Sequence, residues 1–313
     1  MSAHSMSIVN ADSFVSETVI TCNNPKCLEK KIAKEKRLYD TVSSQISQLI
    51  TKSYSTSFSL GILCLDVSIR RPIYQIYGFV RIADEIVDSF HGYDKKALLD
   101  DFEKDTYKSI SQKISTNPVL NSFQEVVNRY HIDRALIESF LYSMRLDLEQ
   151  QHYNQELYQK YIYGSAEVVG LMCLYVFVNG DRQEYERLKP QAVKLGSAFQ
   201  IINFLRDLNA DTKELGRLYF PNLALNRFDE EAKHKLLIEI DLEFDEAYKG
   251  IQLLPKTARF GVYVAYVYYR SLANKIKSLP ANQMMTERIR IHNIQKIYLL
   301  LKSYLLFKLR LIL

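Results

Sequence analysis

Four side chains in the stretch from Gly196 to Pro221 have types and spacing that could do chemistry: Gln200, Asn203, Asp207 and Asp211. On a helix they fall within about 80° of one another, so two carboxylates and two amides share one polar stripe. Ile201, Ile202, Phe204, Leu205 and Leu208 stand between them, which makes the rest of that helix apolar and expected to pack. The pattern occurs twice. Between Ile73 and Asp88, the side chains of Tyr77, Arg81, Asp84 and Asp88 share an arc of about 60°, and Ile76, Phe79, Val80 and Ile86 occupy the other faces. Withdrawing unpaired carboxylates from water is costly, so four of them on two apolar helices call for cationic compensation. Mg²⁺, or Mn²⁺ in its place, answers that need, because it takes carboxylate oxygens, keeps waters and is completed by substrate phosphates. Asp84, Asp88, Asp207 and Asp211 are therefore candidate metal ligands, and two such helices face to face would clamp diphosphates.

The elements that must position these stripes are helices. The 313 residues include only 10 Gly and 7 Pro, too few to punctuate a many-stranded sheet, and the apolar residues mostly follow the helical period. The expected fold is all-α, a helical domain over residues 28–313 behind a loose tail of residues 1–27 rich in Ser, Asn and Thr. Pro72 suits the first turn of the helix carrying Asp84. Residues 155–180 form one apolar helical run, in which Gly164 and Gly170 permit close approach of a helix or a ligand. The 22 tyrosines serve either as amphipathic core filler or as the aromatic lining suited to a carbocation.

Composition also excludes classes. The net charge of +5 is modest and its basic residues are dispersed, which argues against nucleic acid as a partner. Cysteines at 22, 27, 64 and 173 make neither a disulfide framework nor a zinc site, since Cys22 and Cys27 lack a second pair. No signal-peptide pattern opens the chain and no apolar run is long enough to span a bilayer, so the expected location is cytoplasmic. The segment from Thr286 to Leu313 mixes Lys and Arg with apolar residues. It either packs as an ordinary helix or lies on an anionic membrane surface, peripheral to its inner face.

The ordered motifs Thr56-Ser57-Phe58, Arg70-Arg71, Tyr77 to Asp88, Gln200 to Asp207 and Gly216 to Pro221 resemble the squalene and phytoene synthase family, and within it most closely the bacterial phytoene synthases. These enzymes join two prenyl diphosphates head to head, and the resemblance implies a single-domain, isoprenoid-synthase-type helical bundle around a central cavity over residues 28–313. The resemblance runs from about Leu38 to Lys296 and departs at Glu85, where many relatives carry a second aspartate. It implies that Ser55, Ser57 and Phe58 meet diphosphate and prenyl chain, although clustered hydroxyls also serve as helix caps. It implies that Arg206 and Arg217 contact diphosphate, that Tyr163 sits beside the reacting carbons, and that Tyr219 and Tyr269 line the pocket. Gln200 and Asn203 belong to the same substrate-facing motif. Arg81 pairs Asp84 or reaches a phosphate oxygen.

The implied reaction gives phytoene from two geranylgeranyl diphosphates through a cyclopropyl diphosphate. Either diphosphate or the Tyr77 phenol takes the proton. Squalene or dehydrosqualene from two farnesyl diphosphates is the alternative, and NADPH is needed only for squalene. From another class, a helical scaffold without catalysis is the competing expectation; the intact aspartates count against it.

Overall fold

The computed structural model describes residues 25–149, 153–213, 219–221, 228–284, 286, 288–309 and 311–312. The tail assigned to residues 1–27 lies, through residue 24, outside the described residues. Contacts divide the chain into two units, one ending at Tyr39 and the other running from Asp40 to Leu313. The second unit holds the two apolar cores and the cavity.

Every regular element among the described residues is helical. In order these are α1 (Pro25–Tyr54), α2 (Thr56–Leu63), α3 (Val67–Asp88), α4 (Lys95–Gln112), α5 (Pro118–Tyr130), α6 (Arg134–Glu149), α7 (Gln155–Ile162), a π-helical segment (Tyr163–Glu167), α8 (Val168–Phe177), α9 (Arg182–Lys213), α10 (Glu230–Leu253), α11 (Lys256–Ser278), α12 (Ala281–Met284) and α13 (Asn293–Lys308).

Local chemistry sets the two helix starts that matter most. Ser55 caps α2, its hydroxyl accepting from the Phe58 amide at 3.2 Å. Asp66 caps α3 by accepting from the Ser68 amide at 2.9 Å, so the helix begins at Val67 and Pro72 lies inside it rather than in its first turn. The arginines before Pro72 are structural here: Arg70 Nε donates to the Leu65 carbonyl at 2.8 Å, and Arg71 pairs with Glu125 at 3.0 Å.

The apolar faces gather into two cores. In the first, Phe79 of α3 stacks on Phe123 of α5 at 3.8 Å between ring centres. The second is built on α9, α10 and α11, with Phe204 stacked on Tyr219 at 4.3 Å.

The run from 155 to 180 is not one uninterrupted helix. A Cβ on Gly164 would come within 2.0 Å of Ser143 Oγ, and one on Gly196 of α9 would come within 2.8 Å of Glu167 Cα. Neighbours press on both sides of the segment from Tyr163 to Glu167, and the chain adapts by widening one turn to a π geometry.

Candidate active site

One cavity of about 480 Å³ is enclosed by α2, α3, α8, α9, α10 and α11. Helix α9 lines it from Arg206 to Leu188, a span of about 27 Å at 1.5 Å per residue. Its polarity is graded. Arg206, Asn203 and Gln200 occupy one end of α9, and Leu195, Ala192 and Leu188 follow toward the other. The same grading holds on α11, from Tyr269 and Tyr268 to Ala265, Val262 and Gly261. On α8 only small and apolar residues face the lumen, among them Val169, Gly170, Cys173 and Phe177.

The α3 wall brings Tyr77, Arg81 and Asp84 to the polar end. Arg81 does not pair Asp84. It bonds Glu85 one turn on and lies over the Tyr54 ring at 4.4 Å. No hydrogen bond or ion pair holds the Asp84 carboxylate among the described residues. Burial, reinforced by the negative charge of Asp88, pushes its pKa from 3.8 up to about 7. Asp88 is half-buried at the end of α3. Burial likewise raises the Tyr77 phenol to about 12, although a hydrogen bond with Ser55 acts against the shift. Ser55 thus caps α2 and touches Tyr77. Ser57 and Phe58 also line the cavity, with the Phe58 ring 5.0 Å from that of Tyr77.

The α9 wall is held differently. Arg206 Nε lies 3.1 Å from both carboxylate oxygens of Asp207, and its Nη2 donates to Oδ2 at 2.5 Å. Burial works against the Arg206 charge, but the bonds to Asp207 outweigh it and the pKa rises. Arg288, from the chain before α13, adds a second cation through Nε at 2.6 Å from Asp207 Oδ1. Asn203 Oδ1 accepts from Tyr269 OH at 3.1 Å, and Gln200 Oε1 accepts from Asn203 Nδ2 at 3.4 Å. Phe199 stacks on Tyr269 at 3.9 Å, which fixes that ring.

Not every expected residue reaches the cavity, and of the described aspartates predicted as metal ligands only Asp84 lines it, Asp88 and Asp207 standing outside its lining. Tyr163 opens the π segment and faces a separate depression shared with Glu138, Tyr142 and Lys160, because the widened turn changes its angular position. Tyr219 is buried behind α9, where its hydroxyl donates to Asp147 at 3.1 Å and its ring stacks on Tyr161 at 4.9 Å. Asp147 also accepts from Tyr161 OH at 2.7 Å. It therefore organises a buried aromatic cluster. Arg217 and the side chain of Asp211 lie outside the described residues. Arg288, conversely, carried no signal in the sequence: it stands among apolar residues of the C-terminal segment, with no periodic link to Asp207.

The donors fit a divalent cation in kind. Asp84 and Asp88 are adjacent carboxylates on one helix face, and burial together with the Asp88 charge leaves Asp84 favouring protonation unless positive charge is supplied. Among the described residues no three His, Cys, Asp or Glu side chains gather closely enough to hold an ion by themselves. Water and substrate phosphate oxygens would complete the coordination.

Comparison with known proteins converges on one family. The model for "Squalene/phytoene synthase" matches residues 51–295. Phytoene synthase 1, chloroplastic, of Solanum lycopersicum is 27% identical over 275 residues, covering 82% of this chain and 66% of that protein, so the chain spans about two thirds of that relative's length. The phytoene synthase of Arthrospira platensis is 28% identical over 262 residues, covering 75% of this chain and 84% of its own. Among solved structures, a dehydrosqualene synthase in complex with ligand matches with a TM-score of 0.74 at 22% identity, covering 86% of this chain and 98% of that one. The squalene synthase HpnC from Alicyclobacillus acidocaldarius matches with a TM-score of 0.68 at 20% identity, covering 79% and 96%. With the family model matched from the end of α1 into α13, the chain belongs to the squalene/phytoene synthase family.

Proposed function

We propose that this chain condenses two geranylgeranyl diphosphates head to head to phytoene, through a cyclopropyl (prephytoene) diphosphate. The supporting observation is the graded cavity: the Asp84 carboxylate, two amides and three arginines at one end, and a long apolar lumen beyond. Diphosphate suits the first and a prenyl chain the second. Magnesium held by Asp84, Asp88, Asp207 and Asp211 would supply Lewis acidity toward the leaving diphosphate. Arg81, Arg206 and Arg288 place fixed cationic donors where negative charge grows as the first C–O bond breaks and diphosphate departs with the electron pair. The apolar walls keep water from the allylic cation, and the rings of Tyr77 and Tyr269 face it with π density. The double bond of the second substrate then attacks, and loss of a proton closes the cyclopropane. Tyr77, held as a phenol by its raised pKa, is a poor base, which favours diphosphate as the proton acceptor. A second ionisation, rearrangement and proton loss complete phytoene. Hydride from NADPH in place of that last proton loss would give the squalene type of product.

The test is to incubate purified protein with Mg²⁺ or Mn²⁺ and C15 or C20 prenyl diphosphate, with and without NADPH. Diphosphate release and a C40 hydrocarbon without NADPH are expected. Release from C15 alone would replace phytoene by dehydrosqualene or squalene, and release from neither would leave the non-catalytic scaffold.

The proposed function also includes peripheral contact with an anionic bilayer through α13. Leu299, Leu300 and Phe307 turn toward the protein, whereas Ile294, Ile297, Leu301 and Leu305 are more than half exposed, from 54% to 83%. Lys302 and Lys308 share the exposed side, and no acidic residue follows Glu287. Two copies meeting through this face would oppose like charges, whereas anionic lipid would attract both lysines. No described helix is long and apolar enough to cross a membrane. Flotation with phosphatidylglycerol vesicles should capture the protein, and Lys302→Glu with Lys308→Glu should weaken capture by about tenfold or more. Equal capture by phosphatidylcholine would remove the electrostatic part of the proposal.

A further inference from the structure

We infer that Gly170 sets how long a prenyl chain the cavity admits. The inference rests on the proposed function only in taking prenyl diphosphates as the ligands. Glycine inside a helix weakens it relative to alanine, so an interior glycine calls for a reason. For Gly164 the reason is packing, since a Cβ there would collide with Ser143 Oγ at 2.0 Å and with the Ser139 carbonyl at 2.3 Å. Gly170, six residues on, has no such neighbour. A Cβ at this position would meet nothing closer than the Ala192 carbonyl at 3.6 Å, an ordinary contact.

The space that glycine leaves is the lumen itself. Gly170 lines the cavity on the same face of α8 as Cys173, Leu174 and Phe177. Its contact with Ala192 gives its depth, because Ala192 lies about 16 Å from Asn203 along α9. The lumen continues beyond it by about one helical turn on α9, to Leu188, and by about two on α8, to Phe177. A side chain at 170 would narrow that deep end while leaving the polar end untouched. Of the four other glycines that line the cavity, three do not share this role: at Gly196, Gly250 and Gly261 an added Cβ would stand within 2.8 Å of a neighbouring atom, so packing already requires glycine there. Gly61 has similar room, with Ala265 Cβ and the Gly261 carbonyl both at 3.8 Å, but those neighbours stand only about 6 and 12 Å from Tyr269 along α11, nearer the polar end.

The experiment compares wild type, Gly170→Ala, Gly170→Leu and Gly164→Ala. Turnover of C15 and C20 diphosphates is measured with Mg²⁺, and binding of the corresponding prenyl thiolodiphosphates is measured by calorimetry. Gly170→Leu should lower the C20:C15 ratio of kcat/KM, and of affinity, by about tenfold or more, and Gly170→Ala by a smaller factor in the same direction. Gly170→Ala should also raise Tm by about 2 °C through better helix propensity, whereas Gly164→Ala should lower it. An unchanged ratio in both Gly170 variants overturns the inference, as does a wild type that binds the C15 analogue and rejects the C20 one. If wild type binds both analogues but releases no diphosphate, the proposed function fails, and the binding ratio still judges Gly170.

Discussion

Helices α3 and α9 both line one cavity, and they hold Asp84 and Asp207 in opposite electrostatic states. On α3 no cation among the described residues bonds the Asp84 carboxylate, and burial with Asp88 nearby drives its pKa up to about 7. On α9 the Asp207 carboxylate is gripped by Arg206 and Arg288. The difference comes from where each arginine stands. Arg206 precedes its aspartate directly and folds onto it, whereas Arg81 stands four residues before Glu85, the spacing at which helical side chains meet, and pairs there instead. Equal motifs therefore do not imply equal charge states: the raised pKa of Asp84 favours its neutral form, and Asp207 is held charged between two arginines.

The largest expected effect tests both walls at once. Asp84→Ala and Asp207→Ala should each lower diphosphate release by about 10³-fold or more, with helix content by circular dichroism unchanged. A variant that keeps a tenth of the activity would take its aspartate out of the catalytic set. A smaller effect separates the walls. Arg288→Ala should reduce kcat/KM by about 10- to 100-fold, the loss of one charged hydrogen-bonding partner, and Arg288→Lys should recover part of it. Wild-type kinetics in Arg288→Ala would make that arginine a surface contact.

The smallest effect concerns stability in the absence of metal. Because the folded-state pKa of Asp84 is raised, folded protein keeps a proton between about pH 4 and pH 7 that the unfolded chain has released. The carboxyl's contribution is most favourable below that window and declines as pH rises through it. The Tm of metal-free wild type should therefore fall between about pH 4 and pH 7, and the fall should be shallower in Asp84→Asn. Parallel curves would show that another group sets the slope.

Much of the frame was legible from apolar periodicity. The helices carrying Tyr77 to Asp88 and Gln200 to Asp207 follow from i, i+3 and i+4 repeats, and their polar stripes follow from the same geometry. The caps at Ser55 and Asp66 are short-range, and hydroxyl clustering at 53–57 pointed to the first. What escaped was long-range. Arg288 reaches Asp207 from 81 positions away in the chain, and no periodicity connects them. Tyr163 left the cavity because α6 and α9 press on the turn it opens, and Tyr219 turned toward Asp147, a lone carboxylate whose two phenol partners come from different segments.

By itself, then, the order of residues determined helix type, the two polar faces and the chemistry those faces can perform, because each depends on neighbours within about one or two turns. Tertiary structure decided which carboxylate is neutralised, which tyrosines meet the lumen and how deep that lumen runs. Those outcomes depend on burial and on cations brought from other helices, and a charge responds to everything within a few ångströms in space, whatever its distance along the chain.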